Sequence, residues 1–129
     1  TCSIAQRAGI VAYEQGLDSV YEMKEAFARR RQLVYELLND IPGVKTNLPE
    51  GAFYFFPEIS SFFGKKDPDG NVIKDSSDLA LYLLNYGHIA TVGGDSFGNN
   101  NYIRLSYAAS DENLKEALRR MKEALAKLA

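Results

Sequence analysis

The sequence predicts an α+β fold: a small, mainly antiparallel sheet packed against helices, preceded by a helix and a long connecting helix. Three observations carry that expectation. Apolar residues recur at helical spacing at both ends of the chain, short alternating runs lie between them, and the elements follow the order ααββαββα.

The first helix opens at Ser3, which with Gln6 reads as a capping box. Ile4, Ala8, Val11 and Ala12 follow at helical spacing as far as Gly16, which suits the C′ position. Ser19 with Glu22 forms a second capping box, and Met23, Phe27, Val34 and Leu38 mark a stripe running to Asn39. At ~1.5 Å per residue this second helix is roughly 30 Å long, close to the width of a domain. Ile41-Pro42-Gly43 stops it.

Val44–Thr46 and Ala52–Phe56 read as strands joined by the turn-rich Asn47-Leu48-Pro49-Glu50-Gly51, which predicts a hairpin. In the second strand Ala52, Tyr54 and Phe56 alternate with Phe53 and Phe55, so both faces are apolar and both require cover. Lys65–Lys74 is a polar excursion carrying the turn Asp67-Pro68-Asp69-Gly70-Asn71. Asp75, Ser76 or Ser77 caps a short helix through Tyr86 that ends at Gly87. Ile89–Val92 is a strand, Gly93–Asn101 a flexible loop, and Tyr102–Ala108 another strand. Ser110 caps the final helix, with Asp111 and Glu112 at its positive end and Lys122 and Lys127 towards its negative end.

Composition narrows the function. Apolar residues make up 46% and charged residues 25% of the 129, the balance of one globular domain with a real core. A net charge of -2 gives no electrostatic reason for a nucleic-acid or anionic-membrane partner. No apolar run approaches the roughly 18–20 residues needed to span a bilayer, and no secretion signal is present. The single cysteine, Cys2, and the single histidine, His88, leave no zinc cluster and no Cys–His nucleophile pair. Cytoplasm is the expected compartment. Thr1 leads straight into a helix cap, which suggests a fragment of a longer chain.

In the last strand Ile103, Leu105 and Tyr107 face the core, while Tyr102, Arg104 and Ser106 face the other way. Arg104 has two readings. It is either a solvated or salt-bridged arginine on an exposed sheet face, or an anion receptor whose guanidinium fork holds a carboxylate by two parallel bonds. The loop Gly93–Asn101 lacks Gly-Lys-Ser/Thr and opens no helix, so it is no phosphate cradle. His88 has no partner at helical spacing and reads as a strand-edge residue. Phe53–Phe56 and Phe62-Phe63 read as core, since no basic residues interleave with them.

These same residues carry a family resemblance. Ser3-Ile4-Ala5-Gln6-Arg7-Ala8, then Met23, Phe27 and Arg29-Arg30-Arg31, then Gly51-Ala52-Phe53-Tyr54-Phe55-Phe56-Pro57 resemble, in order, segments of class I, fold-type I aminotransferases. Ile103-Arg104-Leu105-Ser106-Tyr107-Ala108, just ahead of a C-terminal helix, is the most specific match. The likeness is greatest to the bacterial aspartate type. It implies that residues 1–17 are the tail of a cofactor-bearing large domain and 18–129 the small C-terminal domain, including the connecting helix.

The resemblance also implies a function. The parent enzyme would move an amino group from an amino acid, aspartate by overall likeness, to a 2-oxo acid through pyridoxal 5′-phosphate. It would do so as a homodimer. Arg104 would grip the substrate α-carboxylate, and Phe53 would line the wall of the site. None of Lys24, Lys45, Lys65, Lys66, Lys74, Lys115, Lys122 or Lys127 follows a serine as the family's Schiff-base lysine does. No catalytic or cofactor-binding residue is therefore expected in this chain, which alone should bind no cofactor, show no activity and tend to self-associate. Val92-Gly93-Gly94 stands where the family usually has Val-Pro-Gly, so the loop it opens is expected to be looser. A free-standing carboxylate-binding module and a fold-type I enzyme of other specificity, including a cyclopropane-carboxylate synthase-like lyase, are the alternatives.

Overall fold

A computed structural model describes residues 1–129. Helices α1 (Ser3–Gln15) and α2 (Leu17–Asn39) lead to strand β1 (Tyr54–Phe55), helix α3 (Ser76–Gly87), strands β2 (Val92–Gly93) and β3 (Ile103–Ser106), and helix α4 (Asp111–Leu125). The three strands form one antiparallel sheet with β3 in the centre, in the order β1-β3-β2. The architecture is α+β, as the pattern predicts.

The core lies on one side of this sheet. Phe55, Ile103, Leu105 and Tyr107 meet Val34 and Leu38 of α2, Leu79, Tyr82 and Leu83 of α3, and Leu114, Leu118 and Met121 of α4. Tyr82 fixes the α3–α4 packing further by donating its hydroxyl to the Ala124 carbonyl at 2.7 Å. Phe62 is buried with this cluster and Phe63 packs against it, as expected. α2 contributes buried residues only from its C-terminal half, and α1 contributes none.

Several expected details differ. Ser3 lies inside α1: Cys2 occupies the cap position without a side-chain bond, and the Gln6 amide donates to the Thr1 carbonyl. Ser19 lies in the first turn of α2, where its hydroxyl donates to the Gly16 carbonyl at 2.9 Å. Neither capping box forms; in the second case the break between the helices is one residue wide, which leaves Ser19 inside the first turn. Gly16 is not left-handed; at φ -95°, ψ 1° it lets α2 restart at once. A Cβ there would lie 2.5 Å from the Ala12 carbonyl oxygen, so close approach is what calls for glycine.

The hairpin of Val44–Thr46 with Ala52–Phe56 does not form. Lys45 instead exchanges backbone bonds with Glu58, beyond the expected second strand. The edge of β1 is taken by β3, with Tyr54 opposite Ser106 and Phe55 opposite Leu105. The same register continues through bonds from Tyr107 N to Phe53 O, Ile103 N to Pro57 O and Ile59 N to Asn101 O. Ala52, left-handed at φ 58°, cannot carry the strand and shortens it at its start. Within β1 Phe55 is buried in the core, whereas Tyr54 on the other face is 37% exposed.

Around α3 the cap is Asp75, whose carboxylate accepts from Asp78 N at 2.9 Å. At the other end the left-handed residue is His88 (φ 53°), not Gly87, so His88 terminates a helix rather than edging a strand. Gly87 serves packing, since a Cβ there would sit 3.1 Å from Ile89 Cδ1. Ser110 caps α4 as expected, accepting from Asn113 N at 3.2 Å.

Candidate functional site

Arg104 stands in the middle of the central strand, on the sheet face that no helix of this chain covers. Alternation places it there: its neighbours Ile103 and Leu105 are buried on the core side. Val92 lies opposite on β2, and the register of β1 brings Tyr54 to the same face. The guanidinium carbon lies 4.4 Å from the centroid of the Tyr54 ring and 4.2 Å from that of Phe97. Arg104 forms no ion pair and no side-chain hydrogen bond, and none of its nitrogens is a buried orphan.

Apart from exposed Arg7 on α1, the other arginines are differently engaged. Arg29 and Arg30 both donate to Asp111, at 3.1 and 3.0 Å. Arg31 donates to the Pro49 carbonyl at 3.0 Å, and Arg119 and Arg120 hold Glu116. The salt-bridged reading of Arg104 is thereby removed. What stands is a guanidinium held on its carbon framework by two rings, its N–H groups free for an outside acceptor.

Phe97 comes from the loop after β2, which the sequence marks only as flexible. It is in fact closely bonded. Gly94 N donates to Tyr102 O at 2.8 Å, Asn99 N to Gly94 O, and Gly98 N to Asp95 O. Helix α3 anchors the loop from below: Ser76 Oγ donates to Asn100 Oδ1 at 2.8 Å, and Ser77 Oγ to Asp95 Oδ1 at 3.1 Å. Gly93 adopts φ -58°, ψ 141°, a conformation proline would share, so glycine here leaves the backbone on the course proline would impose.

The aromatic row continues past Arg104. Phe97 meets Phe56 edge-on, and Phe56 stacks on Tyr102 with ring centroids 5.0 Å apart. On the other side Tyr54 meets Phe53, which packs on Phe27 of α2. Phe53 thus lies one ring away from Arg104 and is 45% exposed. Sequence reasoning missed Tyr54 and Phe97 as flanking groups. Alternation along β1 could have found Tyr54; nothing local marks Phe97.

Such an arrangement, a small sheet with helices on one face and a partnerless arginine on the other, defines a module able to receive an anion from outside itself. Comparison with known proteins places it. The profile of the class I and II aminotransferases matches residues 1–121. An aspartate aminotransferase of Rhizobium meliloti is 43% identical over 126 residues, which are 98% of this chain and 31% of that protein. An aspartate aminotransferase of Pinus pinaster is 39% identical over 95% of this chain and 26% of its own length. Among solved structures, the aspartate aminotransferase from Rhizobium meliloti superposes with a TM-score of 0.94, covering 98% of this chain and 32% of that one. An alanine aminotransferase from Pyrococcus furiosus gives 0.82 at 30% identity, covering 95% and 29%. The chain belongs to the class I and II aminotransferase family, whose members use pyridoxal phosphate. It spans less than a third of the length of the relatives it matches.

The residues present do not by themselves fit that cofactor. A Schiff-base lysine needs desolvation or a cationic neighbour to become a neutral amine. Seven of the eight lysines are exposed, and the half-buried Lys65 donates its ammonium to the Leu128 carbonyl. A phosphate needs free backbone N–H groups, yet those of Gly94, Gly98, Asn99 and Tyr102 are all bonded to carbonyls.

Proposed function

We propose that this chain is the C-terminal part of a pyridoxal-phosphate-dependent aminotransferase of aspartate type, and that Arg104 holds the substrate α-carboxylate there. The observation that carries the reading is the free fork of Arg104 on the open sheet face. A planar guanidinium accepts a carboxylate through two parallel charge-assisted bonds, which fixes the orientation of the substrate as well as its position. Phe53, one ring further along, forms part of the wall. The aspartate aminotransferases at 43% and 39% identity support the aspartate assignment.

Residues 1–17 belong, in this reading, to the preceding large domain, and 18–129 form the small domain. The absence of buried residues in α1 supports that division. The chemistry of amino-group transfer resides in the rest of the parent enzyme, a cytoplasmic homodimer. This chain binds and orients amino- and 2-oxo-acid substrates, and alone it has no transaminase activity. No helix in it is long and apolar enough to cross a membrane.

The test is made in the full-length enzyme. Arg104→Ala is expected to lower kcat/KM for amino and oxo acids by about 2–4 kcal/mol, the scale of a lost charge-assisted pair. Arg104→Lys is expected to be poor as well, because one ammonium cannot reproduce the fork. Near-normal kcat/KM in either variant with cofactor fully bound would overturn the assignment.

A further inference from the structure

The carboxylate reading leaves open how an unpartnered arginine keeps its fork aimed. An arginine side chain has four rotatable bonds, and on a solvated sheet face it would sample many orientations. Backbone and β3 fix only where Arg104 starts. No protein acceptor fixes where it ends, because no carboxylate or carbonyl takes up its N–H groups.

Resting on that reading, we propose that Tyr54 and Phe97 are the positioning residues of Arg104: their rings hold the guanidinium by its carbon and leave its nitrogens for the substrate. Two ring contacts at 4.4 and 4.2 Å place the cation well within cation–π range of both. Attraction to a ring is satisfied without using an N–H group. A carboxylate partner would hold the arginine equally firmly but would compete with the substrate for the fork. Aromatic restraint therefore lowers the ordering cost of binding without blocking the site.

The two rings are themselves held. Tyr54 is part of β1 and pairs with Ser106, two residues along β3 from the arginine, so strand geometry sets it. Phe97 ends the 3₁₀ turn Gly94–Phe97, closed by the bond from Gly98 N to Asp95 O and tied to α3 through Ser77 and Asp95. Phe56, just past the end of β1, supports it with a ring that meets Phe97 edge-on. Tyr54 and Phe97 are 37% and 45% exposed, so shortening either opens no core cavity.

The test compares single and paired variants in the full-length, cofactor-loaded enzyme. Phe97→Leu and Tyr54→Leu are each expected to lower kcat/KM for the amino acid about 3- to 20-fold, the range of one partly desolvated cation–π contact. Phe97→Tyr and Tyr54→Phe keep the ring face and are expected to restore near-normal values. In an Arg104→Ala background the leucine substitutions are expected to have no further effect, because the group they position is gone. Losses that persist in that background, or ring-keeping variants as poor as leucine, would overturn the positioning role while leaving the carboxylate assignment standing. A silent Arg104→Ala would instead overturn the carboxylate assignment, and this inference with it. Should a leucine variant fail to fold, Phe97→Met and Tyr54→Met, which retain bulk without a ring face, decide by the same comparison.

Discussion

Gly93 and Gly94 are adjacent, and each is closely approached, but by different kinds of atom. A Cβ on Gly94 would run into the backbone carbonyl oxygens of Asn99 and Tyr102, which cannot move without breaking the loop that carries Phe97. Gly94→Ala is therefore expected to destabilise the chain by about 2 kcal/mol or more, read as a lower denaturant midpoint. A Cβ on Gly93 would meet side-chain atoms instead, Asp95 Oδ1 at 2.5 Å and Ser77 Oγ at 2.8 Å, which would have to shift and loosen the bond between them. Because Gly94 N bonds to Tyr102 O, the antiparallel alternation turns the Gly93 N–H away from β3. Gly93→Pro is thus expected to cost less than Gly94→Ala, since a more restricted unfolded chain offsets the displaced Ser77–Asp95 bond. A drop in midpoint as large as that of Gly94→Ala would refute this account of the turn. The site was legible to the same depth. Arg104 stands out in the sequence because strand alternation separates it from Ile103 and Leu105, whereas Phe97 reaches it from a loop whose path depends on tertiary bonds.

Among the elements, α2 and α4 are joined through one carboxylate. Hydrogen bonds from Arg29 and then Arg30 hold the Asp111 carboxyl below the usual aspartate range. A depressed folded-state pKa stabilises above the unfolded value and loses its effect as pH falls through the folded one. Asp111→Ala is therefore expected to be less stable than the parent near neutral pH, with the gap closing on acidification below about pH 4. Glu116, pulled down to about 2 by Arg119 and Arg120, titrates in the same acid range. The difference between variant and parent melting curves, rather than either curve alone, isolates Asp111. A gap that does not change with pH would mean that the charge of Asp111 does not matter. Helices were well read from the sequence because their apolar spacing is local: α2 ends at Asn39 and α4 is capped by Ser110, as expected. Strand pairing was not, because the choice of β3 over Val44–Thr46 as the partner of β1 depends on residues some fifty positions away.

At the scale of the whole molecule, the most exposed large apolar side chains lie on the first helix. Ile4 and Tyr13 of α1 are 79% and 85% exposed, and Leu17, Val20, Tyr21 and Met23 extend the exposed surface into α2. Removing a few hundred Å² of such surface from water contributes several kcal/mol at about 25 cal/mol per Å². The 129-residue chain alone is expected to self-associate, detected by sedimentation across a concentration range. A strict monomer at high micromolar concentration that binds no hydrophobic dye would contradict this. Near the middle of α2, three consecutive arginines grip both approaches to the strand pair: Arg31 holds Pro49 ahead of β1, and Arg29 and Arg30 hold Asp111 after β3. The strands on either side of Arg104 are thereby fastened to the middle of the helix. Arg29–Arg31 lie about 20 Å along the helix from Leu17, so a tilt of about 5° there would carry them, and the strands they hold, a little under ~2 Å. A turn at the near end of α2 would therefore shift the strands between which Arg104 stands.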